Sequence, residues 1–153
     1  MTIQPHTNKV DTSRAFKLRH EMALKRLDYD REVVHLVPLL GQSGLSRALH
    51  VSQPTIHDTV KKASKLAPVK PGFSGASPYE IAQRYAVGEI GRDALIDQLA
   101  RWDYAPQSRT DGYDSLLVDP PGTFDEVGKA LSDGLLDDAT YDAIIDRREE
   151  LNK

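Results

Sequence analysis

Ser77-Pro78-Tyr79-Glu80 and Thr123-Phe124-Asp125-Glu126 are one helix-start signal written twice, 46 residues apart. In each, a hydroxyl residue precedes an acid by three positions, the capping-box spacing that satisfies two free backbone N–H groups at once. The apolar positions after each box stay in register: Ile81 with Val127, Tyr85 with Leu131, Ile90 with Leu136, Leu95 with Tyr141 and Leu99 with Ile145. Gly88 and Gly134 also correspond, each where a short helix should end in a left-handed residue. Each unit reads as a short helix, a glycine-centred turn and a longer helix, over 77–102 and 123–150. Neither hairpin buries its apolar face alone, so the pair is expected to pack as a four-helix unit. With the helical periodicity of residues 12–66, this makes the chain all-α: an N-terminal helical bundle and then two related hairpins.

Ahead of the repeat, residues 12–66 carry a second pattern. A helix is expected from Thr12 to about Leu27, with Phe16, Ala23 and Leu27 on one face. Another is expected over about Asp30–Leu40, with Val33, Val34, Val37 and Leu40 inward and Pro38 kinking or shortening it. Gly41 to Gly44 reads as a turn, with Ser43 as a cap. From Leu45 to Val60, apolar residues recur where two crossed short helices must touch: Leu45, Leu49, Val51, Ile56 and Val60. Ala48 is small enough to lie close to a neighbouring backbone. Ser52 can cap the next helix through its hydroxyl, and Pro54 fits only a first helical turn, so two start signals coincide. That helix should run from Gln53 to about Lys65.

Residues 42–62 resemble the helix-turn-helix of bacterial DNA-binding transcriptional regulators. The resemblance implies a recognition helix in the major groove, with Gln53, Pro54, Thr55, His57 and Asp58 at base edges. Gln53 would pair with adenine, and Pro54 or the Thr55 methyl would touch a thymine methyl. Arg47, Ser52, Lys61, Lys62 and Lys65 would hold phosphates, with Arg14, Lys17 and Arg19 adding to them. Two positions depart from the family pattern. His50 stands in the turn where glycine is commonest, although histidine tolerates positive φ. Asp58 stands where Arg or Lys is frequent and would weaken a nearby phosphate contact. A single motif of this kind implies a homodimer over a palindrome, with the N-terminal helix (Phe16, Ala23, Leu27) or the hairpins as its interface.

Charge divides the chain in the same place. Residues 1–71 hold 12 Lys and Arg against 6 Asp and Glu, a balance of +6, and all five histidines. Residues 72–153 hold 8 against 17, a balance of -9. A basic half suits phosphate, whereas an acidic half would be repelled by the duplex and should face a protein or a signal. Residues 1–11 read as a loose polar arm, and 67–76 as the linker to the acidic helical domain over 77–153. Trp102, Tyr104 and Tyr113, set among acids between the hairpins, are candidate partner-binding anchors, or else they plug the gap between hairpins. Residues 130–141 of the second hairpin resemble the SHOCT modules, which implies an interaction or oligomerisation element.

Other classes are excluded. With no cysteine there are no disulfides, thiolate metal sites or cysteine nucleophile. No His-Glu-x-x-His pattern, phosphate loop or nucleophile elbow is present, so neither catalysis nor a cofactor or metal is expected. No apolar run or leader-like start is present, and a cytoplasmic location is expected. The expected function is a dimeric repressor on double-stranded DNA, whose acidic half senses a signal or binds a protein. An autoregulating antitoxin that masks a toxin fits the same division. The competing reading is an interaction or neutralising module whose helix-turn-helix is only structural.

Overall fold

The helix that begins near Thr12 does not stop at Leu27. In the computed structural model, which describes residues 10–106 and 121–153, α1 runs over Ser13–Leu49. Asp11, assigned to the arm, sets its start: the carboxylate accepts from the Ser13 N–H at 2.9 Å and from its hydroxyl. The helices expected over 12–27 and 30–40 are one because nothing between them breaks a helix. Asp28 and Asp30 are instead occupied by Arg84 and Arg26. The change near residue 29 is one of partner. Phe16 packs on the C-terminal hairpins, whereas Val33, Leu36 and Val37 face a separate core.

Leu24, not Ala23, is the residue this arrangement buries, and Val34 and Leu40 stay exposed. Phe16 is engaged with the hairpins and is not a free dimer surface. Pro38 is carried inside the helix, and the break falls at Gly41 alone, with φ 73° and ψ 161°. That conformation is essentially reserved for glycine. Residues 42–49 then resume as the last turns of α1 in a new direction, so the expected turn over 41–44 shrinks to one residue.

After residues 50–52 comes α2 (Gln53–Ala63). Val33, Leu45 and Ile56 form the small buried core of this N-terminal unit, ringed by Tyr29, Leu36, Val37, Val51 and Val60.

The hairpins are α3 (Pro78–Ala86) with α4 (Arg92–Arg101), and α5 (Asp125–Ser132) with α6 (Asp138–Leu151). They pack as one four-helix unit, α4 chiefly on α6 and α3 on α5. Ile81, Leu95, Leu99, Val127, Ala130 and Ile144 are fully buried within it. The 46-residue repeat is present in the backbone itself. Gly88 N–H to Tyr85 O matches Gly134 N–H to Leu131 O, at 3.0 and 3.1 Å. Glu89 N–H to Arg84 O matches Leu135 N–H to Ala130 O, at 2.8 and 2.9 Å. Gly88 and Gly134 have φ of 87° and 82°, the left-handed closure their positions required.

The two helix starts differ. Ser77 caps α3 by accepting from the Glu80 N–H at 3.1 Å. At α5 the cap position falls on Phe124, and Thr123 is buried, contributing its carbonyl and not its hydroxyl. Both acids reach back one residue further than the box requires, Glu80 to the Ala76 N–H and Glu126 to the Gly122 N–H.

The segment 70–76 is strapped to α4. Phe73 meets Trp102 edge-on at 4.9 Å, Ser74 and Gln98 exchange two hydrogen bonds, and Arg101 donates to the Gly72 carbonyl. Among the described residues no helix is long and apolar enough to cross a membrane.

Candidate nucleic-acid interface

The exposed face of α2 begins with its cap. His50 ends α1 in the left-handed region, φ 57° and ψ 41°, and the Val51 N–H closes onto the Ser46 carbonyl at 3.1 Å. The Ser46 hydroxyl donates to the Val51 carbonyl, so the turn is held from both sides. Ser52 accepts from the Thr55 N–H at 3.3 Å, and its hydroxyl lies 2.7 Å from that of Thr55. Pro54 occupies the first turn, where no donor is asked of it.

The inward side of α2 is Ile56, Thr59 and Ala63. Thr59 hides its hydroxyl by donating to the Thr55 carbonyl at 3.0 Å. Gln53, Pro54, Thr55, His57, Asp58, Lys61 and Lys62 are all exposed. Arg47, on the last turn of α1, and Lys65, just past the end of α2, are exposed as well. Among the described residues none of these four cations forms an ion pair. Ser52 is exposed, but its oxygen is already committed to the cap. Arg14, Lys17 and Arg19 lie at the other end of α1, roughly 33–40 Å along its axis from Gly41, and do not extend this surface.

The aromatic anchors fall differently. Trp102 is buried, with Phe73 at its edge and the Lys70 ammonium over its face at 4.9 Å. Tyr104 donates to the Leu99 carbonyl and packs edge-on against Phe124 at 5.1 Å, with Arg148 over both rings. Both rings fill the end of the four-helix unit. Tyr113 lies outside the described residues.

A second polar assembly, absent from the sequence-level expectations, joins α1 to α3. Arg31 binds Glu80 through both terminal nitrogens, at 3.0 and 2.7 Å. Arg84 reaches Glu80, Asp28 and Glu89, at 3.0, 2.8 and 2.7 Å. Burial alone would raise the Glu80 carboxyl, but hydrogen bonds from Arg31, the Ala76 N–H and Arg84 outweigh it and hold the group below its ordinary value. Arg84 holds Asp28 low in the same way. Burial works against the Arg84 charge, yet its three acidic partners raise its affinity for the proton.

The repeat carried a signal for this assembly. At 46 residues' offset, Arg84 and Glu89 correspond to Ala130 and Leu135, which are buried and apolar. The first hairpin therefore breaks the shared pattern where α1 docks.

No three His, Asp or Glu side chains among the described residues converge to hold a metal ion. No protein-family model matches this chain, and neither a curated protein nor a solved structure does.

Proposed function

We propose that the chain is a sequence-specific DNA-binding regulator that lays α2 in the major groove as a homodimer and acts as a repressor. The observation that carries this reading is the composition of the exposed side of α2. Gln53, Thr55 and His57 supply base-reading groups in the first turns, with Arg47, Lys61, Lys62 and Lys65 unpaired around them. Such a face joins groups that discriminate bases to groups that neutralise phosphates. The acidic hairpins stand at the other end of α1 as the half that meets a protein or a signal. An antitoxin that represses its own gene while its acidic half masks a basic toxin is one such arrangement.

Gel shifts on the DNA upstream of the protein's own gene test the reading. A discrete complex is expected, and no shift even at low salt would sink it in favour of an interaction module. Gln53→Ala should cost about 1–3 kcal/mol on the specific site and relax preference at one base pair. Lys61→Ala should weaken specific and random DNA alike and lower the salt slope by about one.

A further inference from the structure

Leu18, Met22 and Leu39 are large apolar residues of α1 left 45, 73 and 69% exposed. All three belong to one stripe. With Ala15, Tyr29 and Leu36 they recur at alternating steps of three and four residues, and Lys25 and Glu32 fill the two places left over. Such steps are the a and d places of a heptad, the seam along which one helix packs on another. From residue 15 to residue 39 the stripe covers roughly 36 Å of helix. At about 100° per residue, Val33, in the core with α2, stands on roughly the opposite side of α1 from His20, Asp28 and Arg31, which bond to α3. The stripe passes between those two sides. Only Tyr29 and Leu36 are half-buried, at the margin of the α2 core.

Lys25 and Glu32 decide what covers this face. Both are exposed, and among the described residues neither forms an ion pair. Two copies of the stripe laid parallel and in register would set Lys25 on Lys25 and Glu32 on Glu32. Laid antiparallel, with each a place facing a d place, they set Leu18 against Leu36 and Ala15 against Leu39. Each Lys25 then comes within one turn of the other copy's Glu32. One patch thus satisfies both charges twice, as a two-fold, self-complementary contact requires.

We propose that a second copy of this chain covers the stripe, α1 against α1 and antiparallel, about a two-fold axis near residue 27. That axis is normal to the plane of the two helices, so it keeps both copies of α2 on one side of the pair and both sets of hairpins on the other. The inference names the surface of the dimer proposed above and rests on that dimer, but not on DNA.

The test is analytical ultracentrifugation of the full-length protein without DNA. A dimer is expected at micromolar concentration. Met22→Glu, at an exposed position, should weaken association at least tenfold with unchanged far-UV circular dichroism, because it leaves an unpaired charge in the seam. Lys25→Glu and Glu32→Lys should each weaken it, and the double exchange should recover most of the loss, which a folding defect would not do. The chain has no cysteine, so introduced ones report orientation. Under mild oxidation Ala15→Cys should link to Leu39→Cys in a mixture, and neither variant should link to itself. Self-linking of Ala15→Cys would overturn the antiparallel order. A dimer that Met22→Glu leaves intact would overturn this surface while the dimer itself stands. A chain that stays monomeric at hundreds of micromolar would overturn both, and the gel shift judges DNA contact separately.

Discussion

Glu80 is the residue on which most of the connections between the two halves converge. It takes hydrogen bonds from Arg31, Arg84 and the Ala76 backbone, and its side chain is only 5% exposed. Removing one partner from a buried charge cluster strands the rest, which costs about 3–5 kcal/mol. Glu80→Gln should therefore lower unfolding free energy by about that much in urea melts, whereas Asp58→Asn, on the exposed face of α2, should change it little.

Acid should act through the same cluster. The Asp28 and Glu80 carboxyls are held below their ordinary values in the folded protein. A group whose folded pKa is depressed stabilises above its unfolded pKa and loses that contribution as pH falls through the folded one. Stability measured by urea should thus fall once pH drops below about 4, the ordinary carboxylate range. In Glu80→Gln that fall should be shallower. Gly75 makes the same region intolerant of bulk: a Cβ there would stand 3.0 Å from Glu80 side-chain atoms.

At the scale of elements, the most instructive position is Gly41. A Cβ there would meet nothing within 4 Å, so any cost of Gly41→Ala is conformational and not steric crowding. With φ 73° and ψ 161° that cost is about 1–3 kcal/mol. Thermal melts should show it, and the loss should fall on the small core of Val33, Leu45 and Ile56, which the change of direction at Gly41 assembles. His50 makes a milder version of the demand: His50→Gly should be tolerated, and His50→Val should destabilise by about 1–2 kcal/mol.

Several helix starts and stops were legible because one residue carries the reason, although the Thr123 cap and the role of Asp11 were not. Ser52 with Pro54, Ser77 and the glycines at 88 and 134 are local chemistry, and each stands where that chemistry placed it. The continuity of α1 was hidden for a physical reason. Its buried face serves two different partners, so the apolar phase shifts near Tyr29 and imitates a break between helices. Choosing Ala23 over Leu24 has the same origin, because only the docked hairpins decide which side is buried. The exposed residues of α2 are those that the helix-turn-helix resemblance placed outward. The Arg84 cluster was legible only as a flaw in the repeat, because it depends on distant segments meeting.

For the molecule as a whole, the two cores differ greatly in size. Among the described residues the core cluster of the four-helix unit holds ten buried apolar residues, and that of the N-terminal unit holds three. Residues 72–153 should therefore keep their helicity when expressed alone. Residues 10–69 alone, deprived of the surface that receives Phe16 and Arg31, should lose much of theirs by far-UV circular dichroism. Adding the hairpin fragment in excess should restore part of the signal.

One helix shared by both units acts as a keyed shaft: it fixes the angle at which the exposed face of α2 stands relative to the hairpins. Each residue of helix adds about 100° of rotation and 1.5 Å of length. A single alanine inserted between Asp28 and Val33 would turn the α2 face to a different side of the protein, with every side chain on that face retained. A seven-residue insertion would bring it back to within about 20° while moving it outward by roughly 10 Å. In the proposed dimer on DNA the first change would misalign both copies of α2, and the second would lengthen the preferred spacing between half-sites. If the protein reads DNA as proposed, its operator is written partly in its α2 side chains and partly in the number of residues between two docking sites on α1.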